Sequence, residues 1–408
     1  MDRRTFLEVT SAPLGASALA TLLPSTMNAA PALIQSKRSA IVVIGSGVFG
    51  VWTALHLREQ GHDVTLLDAY GPGNSRATSG DETRQIRVGY GDRELYARMA
   101  QRAFAAWRAR EQEFGIPLMI ETGRLELARD WTPSLRATQA MLTRLGVPVE
   151  ALTSDDLRRR YPQMDTTGMG VGLLEPTAAV LRAKTSIIAA ASAFTRKGGT
   201  LLVKRARPGR ADGRRLTDVE TATGERFAAQ TFVFACGPWL PKLFPQLLAE
   251  RIKVPGREVF YFGTPSGDTR FSYPNMPNFS EDGYYGFPSV DGRGVKVCPT
   301  TGPVTFDPDT DERIVTPHEV RRARAFLAKR FPSLKDQPIT ETRVCQLENT
   351  VDEHFIIDHH PDFDNVLIAG GGSGHAFKHG PVLGEYVAKR AVGEATDGAF
   401  DRMVRLVP

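Results

Sequence analysis

The sequence predicts an α/β chain: a Rossmann-like nucleotide domain, discontinuous in sequence, with an antiparallel-sheet substrate domain inserted into it. Three observations carry that prediction. A glycine fingerprint follows a buried apolar run near residue 40. A second glycine loop follows another apolar run near residue 370. Between them lie segments whose apolar residues alternate as in antiparallel strands.

The fingerprint is Ser39–Gly50 (SAIVVIGSGVFG). Ile41–Ile44 is an unbroken apolar run, the pattern of a strand buried on both faces. Gly45, Gly47 and Gly50 complete G-x-G-x-x-G. They serve the tight turn, the close approach to a pyrophosphate, and the packing of helix on strand. A helix is expected over Val51–Gln60, with Ala54 and Leu57 inward and a stop at Gly61. The strand Val64–Leu67 then ends in Asp68, placed to accept hydrogen bonds from an adenosine ribose. This unit predicts a nucleotide site without separating FAD from NAD.

Further on, helices are expected at Glu94–Phe114, Arg136–Leu145, Lys184–Lys197, Arg321–Phe331 and Pro381–Val392. Glycines close the first three, and proline opens the last at its favoured first position. Strands are expected at Leu125–Leu127, Thr200–Val203, Thr231–Ala235, Arg257–Phe262, Tyr284–Val297, Arg343–Glu348, Phe355–Asp358 and Val366–Ala369. The nucleotide domain then comprises residues 38–119, 177–250 and 343–408, and the substrate domain 120–176 and 251–342.

The chain has 408 residues, net charge +5 and 41% hydrophobic residues, enough for large cores. Its positive excess is scattered, with no basic run interleaved with aromatics. That excludes a nucleic-acid surface and suits an anionic substrate or cofactor. Three cysteines, Cys236, Cys298 and Cys345, show no metal spacing and no disulfide framework. Arg84 and Arg87, three residues apart in DETRQIRVGYG, are suited to gripping carboxylates, because the guanidinium offers a fixed fork of donors.

The first 36 residues read as an export signal. Arg3-Arg4-Thr5-Phe6-Leu7 matches a bacterial twin-arginine pattern, followed by the weakly apolar Val9–Leu23 and small residues to Ala32. Pro13 and Pro24 interrupt it, so it is too short to span a membrane. The expectation is a periplasmic protein carried by the twin-arginine machinery, without stable membrane insertion.

Beyond residue 38 the chain resembles the D-amino acid oxidase superfamily of flavoenzymes, most closely its monomeric sarcosine oxidases and N-methyltryptophan oxidases. Four segments carry the resemblance: Gly45–Gly50 with Asp68; Gly80–Gly91; Tyr284–Val297 (YYGFPSVDGRGVKV); and Cys345–Lys378, with DEHFIID and SGHAFK. The resemblance implies FAD, attached through a thioether at Cys345, and Lys296 near the flavin promoting reaction with dioxygen. It implies that Arg87 and Lys378 bind a substrate carboxylate, that Arg84 packs near the flavin ring, and that Tyr285 lines the substrate pocket. It also implies that Gly371–Gly374, Gly372 and Gly374 included, bring backbone N–H groups to the flavin's pyrimidine edge. The activity implied is oxidation of an amino acid or secondary amino acid to an imine, with hydrogen peroxide formed from dioxygen.

Three departures stand out. Thr300 replaces a histidine of the sarcosine oxidases, Leu347 replaces a tyrosine, and Asp81-Glu82-Thr83 makes a turn one residue longer. They make sarcosine itself doubtful and favour a bulkier or more apolar amine. Two other functions stay open: a dehydrogenase passing electrons to a quinone or carrier, and a non-catalytic flavin-binding protein.

Overall fold

The computed structural model describes residues 37–406 apart from Asp282, so the export-signal reading lies outside the described residues. Two large sheets organise the chain. In the first, strand β1 (Lys37–Ile44) pairs in parallel with β2 (Val64–Asp68) on one side and with Arg226–Phe234 on the other. Thr200–Val203 extends the sheet beyond β2, and Phe363–Gly370 extends it beyond Arg226–Phe234, both in parallel. Ile356–His360 adds an antiparallel edge. The order Thr200–Val203, β2, β1, Arg226–Phe234, Phe363–Gly370 aligns the carboxyl ends of five strands. That rim is where ligands bind in such sheets.

Helix α1 (Val48–Glu59) returns from β1 and packs on the helix Gly380–Ala391, with Trp52 and Trp107 fully buried and edge-to-face at 5.3 Å. Each such side chain contributes about 1.5–3 kcal/mol or more of burial. Gly50 lies inside the first turn of α1, where a Cβ would stand 1.8 Å from the Gly45 carbonyl oxygen. Its place is helix-to-turn packing.

The second sheet runs Ile339–Gln346, Gly256–Phe262, Val295–Pro299, Tyr284–Phe287, Asn278–Glu281, Arg124–Ala128, Val171–Glu175, Glu150–Thr153. One neighbouring pair is parallel, Asn278–Glu281 with Arg124–Ala128, and the rest are antiparallel. Phe260, Phe262, Phe279, Leu327 and Phe331 fill a separate core shared with the helix Pro317–Arg330. A third, small sheet joins strand β3 (Thr83–Ile86) to Ala179–Arg182 and Met119–Ile120.

Several expected boundaries move. Helix α1 starts at Val48 rather than Val51, because Gly47 is its N-cap. The helix expected from Arg136 starts at Pro133, where the Thr132 hydroxyl caps the Leu135 N–H. Tyr284–Val297 is two strands, split by a turn in which Asp291, Gly292 and Gly294 take positive φ. Ile339–Gln346 is one continuous strand of the second sheet, so the boundary placed at 342/343 cuts through it. The last expected helix starts at Gly380, with Pro381 in its second position.

Candidate functional site

The carboxyl rim of the parallel sheet opens into a cavity of about 580 Å³. Gly45, Gly47, Asp68, Arg84, Gly372 and Gly374 line it, as does Leu347. Gly45 sits at φ +100°, and a Cβ there would lie 2.3 Å from the Ala235 carbonyl oxygen, so the turn admits only glycine. At Gly47 a Cβ would meet only the Ser79 hydroxyl at 3.6 Å, which leaves the cradle over the helix N-terminus open. That Ser79 hydroxyl accepts the Val48 N–H at 3.0 Å, while the buried Ser46 hydroxyl has no partner. One Asp68 oxygen accepts the Ser46 N–H at 2.7 Å, and the other accepts the N–H groups of Tyr70 and Gly71 at 2.8 Å. The carboxylate is thereby fixed, and the oxygen bonded to Ser46 keeps one lone pair for a ligand hydroxyl. An open glycine cradle, an unused hydroxyl and a fixed acid at a helix N-terminus fit the pyrophosphate and ribose of a dinucleotide.

The other predicted residues are not in this wall. Cross-strand pairing sets Phe287 beside Lys296, Lys296 beside Tyr261, Tyr285 beside Cys298, and Cys345 beside Arg257, all on one face of the second sheet. Lys296 is 1% exposed. Its ammonium donates to the Asp81 carboxylate, to the Thr83 carbonyl at 3.1 Å and to the Thr83 hydroxyl at 3.2 Å. All three of its protons are so engaged.

Asp81 is the centre of this cluster. Its carboxylate also accepts Arg84 at 2.7 Å and the Tyr261 hydroxyl at 3.1 Å, with Arg343 at 3.8 Å. Burial alone would raise its pKa. The Lys296 and Arg84 charges outweigh burial and hold the carboxyl well below the usual range. Arg84 thus belongs to both places: it lines the cavity and shares Asp81 with Lys296. Among the cysteines, Cys298 and Cys345 are buried, and none of the three forms a disulfide. Burial, then the Asp81 charge, pushes the Cys345 thiol up, against Arg84, Lys296 and Arg343.

Arg87, just past β3, lies with its guanidinium 4.8 Å from the Tyr90 ring centre and makes no hydrogen bond or ion pair among the described residues. Lys378 is 5% exposed and donates to the Tyr90 hydroxyl at 2.9 Å and the His375 carbonyl at 3.1 Å. Burial, then the Arg87 and Arg124 charges, lowers the Lys378 pKa well below its ordinary value. This pair has protein acids and a third cation close by. Arg124 joins it as a third cation, with Glu126 on it at 2.6 Å. Buried Glu175, which takes the N–H groups of Val88 and Gly89 at 2.7 and 3.0 Å, also acts on both Arg87 and Lys378. No motif marks Glu175; Arg124 could have been suspected as a charge inside the alternating run Arg124–Ala128.

Lys378 is in sequence next to Phe377, which lines the cavity, and its contact His375 lines it too. The Tyr90 hydroxyl meets His375 Nδ1 at 3.1 Å and His379 Nε2 at 2.9 Å. Burial, then the Lys378 charge, lowers His375 to about 3, so this ring is neutral at pH 7. Of the two single-residue departures, Leu347 is in the cavity wall, whereas Thr300 is exposed and gives its N–H to Gly283 at 2.9 Å. Glu348, absent from the sequence-based set, is buried beside Gly372 in the wall.

A family model described as FAD dependent oxidoreductase matches residues 40–390. The peroxisomal sarcosine oxidase of Mus musculus is 31% identical over 367 residues, covering 84% of this chain and 90% of that one. The monomeric sarcosine oxidase of Bacillus sp. (strain B-0618) is 29% identical, covering 88% and 93%. Among solved structures, the L-proline dehydrogenase from P. horikoshii superposes with a TM-score of 0.78 at 22% identity, over 88% of this chain and 95% of that one; the likeness is one of fold.

Proposed function

The chain belongs to the FAD dependent oxidoreductase family, and on that footing we propose that it oxidises amino acids, N-methyl and other secondary ones included, to imines. We assign dioxygen as the acceptor, with hydrogen peroxide as product. Gly45, Gly47, Asp68, Gly372 and Gly374 would hold FAD, with Arg84 beside it and Cys345 as its covalent anchor. When bound, FAD supplies the acceptor for the two electrons and the hydrogen removed from the carbon next to the substrate nitrogen.

The carrying observation is Arg87: a half-buried guanidinium that makes no hydrogen bond or ion pair among the described residues, in a group with Lys378 and Arg124. A substrate carboxylate completes that group. Bound in two places by the Arg87 fork and in a third by Lys378, it fixes which C–H faces the cofactor. Its charge also favours the protonated form of Lys378. The same cations repel an ammonium, so the amine reacts as the neutral base, and binding improves as pH rises toward the amine's own pKa. Tyr285, which does not line the cavity, would border the substrate from the second sheet. Leu347 adds apolar wall, worth about 1–3 kcal/mol of preference for a bulkier substrate. Lys296 supplies the fixed charge for the oxygen reaction.

One observation favours a second reading, a dehydrogenase passing electrons to a quinone or carrier. The Lys296 ammonium is already committed to Asp81 and Thr83. An anaerobic screen of amino acids and N-methyl amino acids for flavin bleaching, followed by admission of air, separates these readings. Bleaching and rapid recolouring support the oxidase; bleaching without recolouring supports the dehydrogenase; no bleaching with any amine rejects both. Arg87→Ala should raise the apparent substrate dissociation constant roughly thirtyfold or more, about 2 kcal/mol. Arg87→Lys should recover part of that. A decarboxylated analogue oxidised as well as its parent amino acid would sink the carboxylate assignment.

A further inference from the structure

Glu348 follows the strand Ile339–Gln346 and reaches across two glycine turns at the rim of the parallel sheet. A Cβ on Gly237, after Arg226–Phe234, would lie 3.3 Å from Glu348 Oε2. Cβ atoms on Gly370 and Gly372, at the end of the neighbouring strand, would lie 3.5 Å from Oε2 and 3.0 Å from Oε1. The side chain therefore fills a slot that glycines keep open. The backbone N–H groups of Gly372 and Gly371 bond to the carboxyl. Oε2 has no partner, although the residue is only 5% exposed. A buried carboxyl oxygen left unpaired costs of the order of 1–3 kcal/mol, more if charged, and calls for a ligand.

The sheet order says which part of a dinucleotide it faces. Asp68 ends β2, Gly45 follows β1, Gly237 follows Arg226–Phe234, and Gly370 ends the next strand. Glu348 thus lies on the opposite side of the pyrophosphate turn from the ribose-binding acid. Beyond the pyrophosphate FAD carries its ribityl hydroxyls and the flavin imide N–H, all hydrogen-bond donors.

We propose that Glu348 is a cofactor-holding residue whose Oε2 accepts a hydrogen bond from the ribityl–flavin half of FAD. The proposal rests on the FAD assignment above and on no substrate. It also gives the Gly371–Gly372 amides a local partner: they position this acid. Burial raises the carboxyl to about 7, against the pull of the Gly372 and Gly371 N–H groups, so its charge changes within the working pH range. A donor on FAD draws that value down by favouring the ionised form.

The test uses the FAD-loaded protein and needs no turnover. The visible flavin spectrum of the wild type should titrate with one step at or below about pH 7. Glu348→Gln should abolish that step and raise the flavin midpoint potential, because a negative charge beside the flavin opposes its reduction. Glu348→Asp, which keeps the charge but withdraws it by one methylene, should retain a step at a shifted pH. A wild-type protein that binds no FAD would overturn the cofactor reading itself. A flavin whose spectrum and potential are the same in wild type and Glu348→Gln would overturn this proposal alone.

Discussion

The Asp81 cluster permits a stability measurement that tests the geometry directly. The Asp81 side chain is fully buried and that of Lys296 is 1% exposed, so solvent screens their interaction little. Asp81→Asn keeps the shape and removes the charge. Lys296 is then left with the two Thr83 oxygens, and Arg84 with the carbonyls of Thr83 and Thr78. Breaking a buried pair from one side costs about 3–5 kcal/mol, because a charge remains without its partner. Lys296→Met should cost less. The carboxylate it leaves behind still has Arg84 at 2.7 Å and the Tyr261 hydroxyl at 3.1 Å. The double variant holds neither charge, so a double-mutant cycle should show coupling of about 2 kcal/mol. The pH dependence has a fixed sign. The Asp81 carboxyl is depressed in the folded state, so its contribution is present above the unfolded value of 3.8 and is lost as pH falls further toward the folded one. The gap between wild type and Asp81→Asn in urea unfolding should therefore be constant from about pH 5 to 8 and shrink below about pH 4. Effects of the two substitutions that add to within about 0.5 kcal/mol would refute the pairing.

Further expectations follow from the site and, for export, from the sequence alone. Acid-precipitated wild type should retain its yellow colour, and Cys345→Ala should release FAD to the supernatant. Fully extractable flavin in the wild type would remove the covalent anchor and leave the fold untouched. Lys296→Met should slow reoxidation by dioxygen at least tenfold more than reduction by substrate, about 1.4 kcal/mol of selective loss, read by rapid mixing of each half-reaction. Equal losses in both halves would make Lys296 a structural partner of Asp81. Replacing Arg3 and Arg4 by lysine should hold the protein in the cytoplasm, and the exported form should lack roughly its first thirty residues. A periplasmic protein still beginning at Asp2 would exclude cleavage.

What was legible in the sequence was whatever depends on local chain chemistry. Glu94–Phe114 and Thr200–Val203 form with the expected ends, because Gly115 and Gly198-Gly199 punctuate them. Gly45, Gly47 and Asp68 meet at one cavity because a single βαβ unit carries them. Elements with weak local signals were missed. Ser154–Arg160 is only seven residues and is held by the Thr153–Asp156 capping box. Val171–Glu175 is continuously apolar until its last residue and takes its strand state from two antiparallel neighbours. The partners within the site were the least legible. Asp81 and Lys296 are 215 positions apart, and nothing in either segment announces the other. Glu175 reaches the Arg87 loop across 87 positions through backbone N–H groups, which carry no residue identity.

The two sheets make separate contributions, and the chemistry needs both. The parallel sheet provides a rim of turns, where backbone N–H groups and a fixed acid suit a phosphate-bearing ligand. The antiparallel sheet provides a flat face whose two-residue period sets Lys296 and Cys298 side by side, with Tyr285 and Tyr261 as their cross-strand neighbours. Neither sheet alone supplies the proposed carboxylate site. Arg87 follows the small third sheet, Lys378 follows the last strand of the first, and Arg124 opens a strand of the second. Three cations from three elements can be held together only if something negative offsets them. Glu126 is committed to Arg124, and Glu175 is partly committed to backbone N–H groups, so Arg87 and Lys378 are the pair left under-compensated. On the proposed function, a substrate carboxylate would therefore stabilise the folded site as well as enter it. Small carboxylates that no enzyme of this chemistry can oxidise should for that reason raise the melting temperature of the wild type. Arg87→Ala should lose that rise while keeping the one conferred by bound FAD.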